Sequence, residues 1–267
     1  MLIAHEAPIS ILREIRDITD IQYALVHLFD THPNYFNFFK LSLNLGREVI
    51  LDNSIFELGV AFDSRRYVDY IHELKPTYYI VPDVLEDSDA TIKTFTRFTT
   101  DYQTVPGLKI GVVQGKTYDE LVECYKFMVG HADYIAISFD YSYYQLIGKS
   151  TSIEPVQAKL ERMCDGRQRF IEALIADGYW NKYKPHHLLG CSLAREFAGY
   201  KHVDNIRSVD TSNPVVAGIT GSRYLKNIGL YHKPKVLLAS LIDAELTSDQ
   251  MNDVLYNIEE FKHIVGR

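Results

Sequence analysis

Two acidic residues, Asp52 and Asp210, stand in the same relation to short apolar runs. Val49, Ile50 and Leu51 precede the first, Ile206 to Val209 precede the second, and small polar residues follow each. A carboxylate at the end of a buried strand is held on a stiff element yet exposed where the strand opens into a loop. A nucleophile or general base needs that combination. Taken alone, Asp210 also reads as the cap of the Thr211-Ser212-Asn213-Pro214 turn behind it. Other strand ends deliver Asp83, Gln114, Ser138 and Gly190. Three carboxylates and a carboxamide at one mouth are costly to bury without a ligand or partner, so the series points to a catalytic pocket. The competing structural roles are N-capping for Asp52 and Asp83, and a hydrogen bond to a neighbouring loop for Gln114. Phe56 reads either as core or as a ring lying flat over a planar substrate.

The elements that would position these residues alternate along the chain. Apolar runs predict strands at Met1–His5, Tyr23–Phe29, Glu48–Leu51, Thr77–Val81, Leu108–Val113, Asp133–Ser138, His186–Leu189 and Ile206–Asp210. Helices are expected over Ser10–Asp17, Ser64–Leu74, after the acidic start Glu86, Asp87 and Asp89, from Thr117 to about Val129, and over Ser192–Tyr200. Residues 149–183 read as an insertion plus one layer helix. His32 to Phe39 reads as an aromatic loop. The chain after Asp210 reads as a loop to His232 and two helices, Lys235–Glu245 and Ser248–Ile264. Eight strands alternating with helices, with polar residues at the strand ends, predict a compact α/β single domain over 1–267, a (β/α)8 TIM barrel with its site on the C-terminal face. A doubly wound sheet is the alternative, less favoured because no glycine-rich phosphate loop follows an early strand.

Composition narrows the function classes. The 267 residues are 46% hydrophobic and 24% charged, with 19 tyrosines against one tryptophan. A net charge of −7 argues against bulk electrostatic coating of nucleic acid, though not against a local basic track. Cys124, Cys164 and Cys191 are widely spaced, which excludes a Cys-x-x-Cys metal pair and argues against a disulfide framework. No cofactor or metal is expected. No stretch approaches a membrane span, and the reducing cytoplasm is the expected compartment.

Five segments carry a resemblance. Leu-Asp-Asn-Ser-Ile-Phe-Glu at 51–57, Val-Val-Gln-Gly at 112–115 and His-Leu-Leu-Gly at 187–190 occur in this order. Ser-Val-Asp-Thr-Ser-Asn-Pro at 208–214 and Val-Leu-Tyr-Asn-Ile-Glu-Glu-Phe at 254–261 follow. The set resembles the tRNA-guanine transglycosylase motifs Thr-Asp-Ser-Gly-Gly-Phe-Gln, Ile-Val-Gln-Gly, Leu-Met-Gly-Val-Gly and Phe-Asp-Cys-Val-x-Pro-Thr-Arg, then an Asn-containing final helix. The resemblance implies a base-exchange enzyme on a (β/α)8 barrel. Asp210 would attack the ribose C1′ and hold the polynucleotide covalently, and Asp52 would transfer protons. Phe56 would stack on the base, and Asp83 and Gln114 would read the guanine edge beside Gly115. Main-chain groups near Ser138 and Phe139, with Leu189 and Gly190, would complete the pocket.

The departures from the family are equally specific. Its Cys-x-Cys-x-x-Cys…His zinc site is absent, Ser54 and Ile55 replace the two glycines before Phe56, and Val215 stands after Pro214 where Thr-Arg is expected. In the family those parts serve tRNA docking and dimer assembly. Their loss makes the chain resemble the phage-type DNA transglycosylases, which lack the zinc subdomain and insert 7-deazaguanines such as preQ0. DNA, with tRNA second, and a free 7-deazaguanine base are thus the expected partners, and a monomer the expected state. Arg223, Lys226, Lys233 and Lys235, with Tyr224 and Tyr231 and no acidic residue between 221 and 235, form a candidate nucleic-acid strip or else a solvated loop. A barrel hydrolase releasing bases and a non-catalytic nucleic-acid-binding relative are the rival readings.

Overall fold

The computed structural model describes residues 1–234 and 236–267. Lys235 lies outside them, both as the start of an expected helix and as a member of the expected basic strip. Eight parallel strands run β1 (Leu2–His5), β2 (Gln22–Leu25), β3 (Val49–Asp52), β4 (Tyr78–Ile80), β5 (Leu108–Val113), β6 (Tyr134–Ser138), β7 (His186–Leu189) and β8 (Ile206–Thr211). Their order is β1-β8-β7-β6-β5-β4-β3-β2, each paired in parallel with its neighbours. The two ends of that order meet, since the Asp20 and Ile21 N–H groups donate to the Ile3 carbonyl at 2.9 and 3.2 Å. The result is the nearly closed (β/α)8 barrel that the alternation of elements implies, not the open doubly wound sheet.

Among the described residues ten helices accompany the strands: α1 (Leu12–Ile18), α2 (Pro33–Asn44), α3 (Ile55–Leu58), α4 (Ser64–Leu74), α5 (Ser88–Asp101), α6 (Tyr118–His131), α7 (Ser142–Ile147), α8 (Pro155–Ala176), α9 (Asn213–Ile219) and α10 (Ser248–Val265). Several start where side chains satisfy free backbone N–H groups. Thr117 and Glu120 cap α6 reciprocally, Thr247 and Gln250 do so for α10, and Asp87 caps α5 through the Ala90 N–H at 2.9 Å. On α10, Val254, Ile258 and Phe261 are fully buried at helical spacing. Asn257 between them accepts from the Tyr224 N–H and donates to the Ser222 and Pro214 carbonyls, at 2.8, 2.8 and 3.2 Å. It ties the final helix to the loop beyond β8. No helix among the described residues is long and apolar enough to cross a membrane.

Five expectations change, the first being the helix expected over Ser192–Tyr200, which is a 3₁₀ helix at Ala194–Tyr200. The aromatic segment from His32 is α2, begun by Pro33 at its first turn, with Tyr35, Phe36, Phe38 and Phe39 buried on it. The second expected strand is shorter: it ends at Leu25, and Val26–Asp30 form a 3₁₀ turn. Residues 213–219, expected as loop, are α9. All seven are buried, so no polar face marks the helix in the sequence. The expected helix Lys235–Glu245 reduces to one 3₁₀ turn at Leu238–Leu241, because Val236, Leu237 and Leu238 face the barrel mouth instead of an outer layer.

Side chains alternate along each strand, so every second residue enters the barrel. In β8 these are Ser208 and Asp210, in β7 His187 and Leu189, and in β3 Ile50 and Asp52. The register pairs Leu25 with Asp52, Ser138 with Leu189 and Ala4 with Asp210. The C-terminal ends therefore reach a common level, and polar residues there converge.

Candidate active site

A cavity of about 260 Å³ opens at that level. Asp52, Phe56, Asp83, Gln114, Ser138, Phe139, Leu189, Gly190 and Asp210 all line it. Gly115 does not. It packs on the start of α6, where a Cβ would meet Glu120 Cβ and Leu121 N at 2.9 Å each, so its missing side chain lets helix and strand end approach. Glu6 and Glu57 add two further carboxylates to the lining. Lys233 is the only basic lining residue among those described.

The two aspartates are held differently. Asp52 receives the Tyr23 hydroxyl on Oδ2 at 2.5 Å and the Ser54 N–H on Oδ1. The second bond is a local turn of the kind an Asp makes two residues ahead, so Asp52 has a capping role as well as its place in the cavity. Burial pushes its carboxyl well above the usual range, reinforced by Glu57 and Asp210 and opposed by the two hydrogen bonds. Asp210 accepts on one oxygen only: Oδ1 takes the His187 Nε2 at 2.9 Å and the Gly190 N–H at 3.1 Å. Its Oδ2 has no hydrogen-bond partner among the described residues, although the residue is only 6% exposed. Tyr23 links the pair, its hydroxyl on Asp52 and its ring stacked on His187 with centroids 6.0 Å apart.

On one wall Asp83 accepts from Asn53 Nδ2 at 2.8 Å and from Gln114 Nε2 at 2.7 Å. Gln114 Oε1 in turn accepts the Glu86 N–H at 2.8 Å, the loop contact weighed as its structural role. Burial raises the Asp83 carboxyl, and the two amide donors oppose the rise. Phe56 is 53% exposed and faces Phe139 at 5.6 Å, which places it at the mouth and not in the core. Gly190 sits beneath Phe139 with φ +68°, and a Cβ there would come within 2.3 Å of that ring. The Ser138 N–H bonds the Tyr141 hydroxyl at 3.2 Å, which occupies a main-chain donor expected to face the ligand.

Glu6 and Glu57 gather round the same space. Burial raises Glu6 well above its ordinary range, with Asp210, Glu57 and Asp52 adding repulsion and Lys233 opposing it. Glu57 lies at the exposed rim, yet the cavity walls desolvate its carboxyl. With repulsion from Asp210 that pushes it up to about 6. Lys233 spans Cys191 and Phe139, donating to the Cys191 carbonyl at 3.1 Å and lying 5.6 Å from the ring centre.

The basic strip does not assemble among the described residues. Lys233 turns into the cavity, Arg223 pairs with Asp253 at 2.8 Å and lies over Tyr256, and Tyr224 is buried with its hydroxyl on Asn213. Lys226 and Tyr231 remain at the surface.

Residues that sequence reasoning missed surround Asp210. His187 is fully buried, and its Nδ1 meets Ser208 Oγ at 2.8 Å, while Ser208 Oγ also bonds the Tyr134 hydroxyl. Its signal was its inward place in β7, two residues before Leu189. Glu6 follows β1 directly, at a strand end outside the expected series of polar residues. Arg167, from α8, is fully buried and donates to the Leu189 and Gly190 carbonyls at 2.9 and 3.1 Å and to Glu196 at 2.6 Å. Chemically, the cavity pairs a carboxylate with one open oxygen against a second carboxyl that favours its proton, beside a planar amide and carboxylate edge. No protein-family model matches the chain, and no curated protein is significantly similar to it.

Proposed function

We propose that the protein is a base-exchange transglycosylase that replaces guanine in DNA with a 7-deazaguanine such as preQ0 through a covalent aspartyl–sugar intermediate. The observation that carries this reading is the sharing of one cavity by Asp52 and Asp210, with opposite hydrogen-bonding states, beside the Asp83–Gln114 edge. Asp210 Oδ2 attacks the sugar C1′ as the bond to the guanine N9 breaks, through an oxocarbenium-like state that the carboxylate stabilises and then captures. The leaving base takes the bond's electron pair and a proton from Asp52, whose raised pKa suits an acid. The incoming base gives its N9 proton back to Asp52, its nitrogen attacks C1′, and the ester to Asp210 breaks. The strand is never cut.

Asp83 can accept from the N1 and N2 hydrogens of a guanine ring, and the second Gln114 N–H can donate to O6. Phe56 and Phe139 supply apolar faces at the mouth. A base in duplex DNA must leave its stack to reach a site at this depth, which favours single-stranded or distorted substrate. The test is incubation with guanine-containing DNA and a labelled free 7-deazaguanine. Incorporation of label supports exchange, and an Asp210→Ala variant that stays folded should incorporate none. An abasic product instead would assign the protein to base hydrolysis, and label retained by Asp210→Ala would remove Asp210 from the role.

A further inference from the structure

Asp210 stands at the end of a hydrogen-bonded file that descends into the barrel. His187 Nε2 lies 2.9 Å from Asp210 Oδ1, His187 Nδ1 lies 2.8 Å from Ser208 Oγ, and Ser208 Oγ meets the Tyr134 hydroxyl. His187 and Ser208 are fully inaccessible and Tyr134 is 1% exposed. The imidazole is gripped on both sides, stacked on Tyr23 at 6.0 Å and edge-on to Tyr134 at 6.2 Å. An ionised carboxylate only accepts, so Nε2 must carry a hydrogen. Either hydroxyl of the Ser208–Tyr134 pair can be the donor; with Tyr134 donating, the single Ser208 hydrogen is left for Nδ1.

From this geometry we infer that His187 is the positioning residue of Asp210, a neutral imidazole fixed as its Nε2–H tautomer by Ser208 and Tyr134. The inference rests on Asp210 as nucleophile. The His187 N–H and the Gly190 N–H converge on Oδ1. They fix the carboxylate's rotation so that Oδ2 alone faces the sugar, and they stabilise negative charge returning to Oδ1 when the ester breaks. A second aromatic-walled histidine nearby, His186, faces outward against Trp180 and plays no part.

Two measurements decide the matter. Nitrogen-15 NMR of the imidazole in the wild-type protein reads the tautomer without any substrate. A neutral ring with hydrogen on Nε2, becoming a tautomer mixture in Ser208→Ala, supports the proposal. A ring protonated on Nδ1, or on both nitrogens, near neutral pH overturns it. The second measurement is the rate of adduct formation between DNA and three variants at His187. Glutamine presents an amide N–H near the place of Nε2, asparagine presents one near Nδ1, and leucine presents none. Loss of one hydrogen bond to a charged group predicts a rate roughly 10- to 100-fold lower in His187→Leu and His187→Asn, with His187→Gln largely rescued. The KM for the free base should stay unchanged in all three. Equal losses in all three, or a loss expressed as raised KM, would overturn the proposal by making His187 a packing residue. A wild-type protein that forms no adduct would refute the exchange reading and with it the nucleophile that His187 positions, whereas an adduct with the wrong tautomer would overturn the His187 proposal alone.

Discussion

Asp52 and Asp210 differ in what already occupies their oxygens. Asp52 has both engaged, by Tyr23 and Ser54, while Asp210 has one held and one open. The same crowding of carboxylates shapes Glu57. Its folded pKa is about 6, above its ordinary 4.5, because burial and Asp210 disfavour its charged form. A raised folded pKa means the folded state binds the proton more tightly than the unfolded chain. Its stabilising contribution is full below 4.5 and lost as pH rises through about 6. Glu57→Gln should therefore gain stability relative to wild type as pH rises across that window. Parallel thermal melts from pH 4 to 7.5 check this, and a difference that does not change with pH would contradict it. The polar strand ends were legible from sequence because alternation fixes which residues face inward. His187 was not, since a histidine within an apolar run reads as core, and Glu57 was not, since its motif pointed to Phe56.

Between the layers, α8 reaches the site through Arg167. Its guanidinium holds the Leu189 and Gly190 carbonyls, and Gly190 in turn holds Asp210, so a helix outside the barrel fixes the strand end that orients the Asp210 carboxylate. Glu196 compensates the buried charge and also receives the Tyr200 hydroxyl at 2.5 Å. Arg167→Met leaves Glu196 buried and uncompensated, a loss of about 3–5 kcal/mol. Adding Glu196→Leu should recover most of it, because two apolar side chains leave no unpaired charge. Urea denaturation of the single and double variants measures both, and equal stability of the two would contradict the assignment. Most outer helices were legible from caps and amphipathic spacing, as in α4 and α6. Helices α2 and α9 were not. The first is dense in aromatics, and the second is buried all round, so neither carries the polar stripe that marks a helix in sequence.

At the scale of the whole barrel, the fold buries histidines at positions that cannot hold charge. His5 packs on Phe261 at 5.7 Å with neither ring nitrogen bonded among the described residues, and burial lowers its pKa to about 3 from an ordinary 6.5. A lowered histidine pKa means the unfolded chain takes up the proton first. Stability is therefore lost as pH falls from 6.5 toward 3. His5→Leu should lose less stability over that range and be at least as stable at pH 7, because it replaces an unbonded polar ring with apolar packing. An unchanged acid slope in that variant would contradict the burial argument. Barrel closure was legible in the strand count and the polar strand ends. The disposition of the cations was not, because Arg223 finds Asp253 and Lys233 finds the cavity only once α10 and the loop after β8 have folded back.

The most direct test of base exchange is the intact mass of the protein after incubation with a guanine-containing oligonucleotide and rapid denaturation. The expected result is wild-type protein carrying the oligonucleotide minus guanine, lost on adding a free 7-deazaguanine and absent in Asp210→Ala. An adduct that persists in Asp210→Ala, or a wild-type protein that releases guanine and never carries the strand, would contradict it.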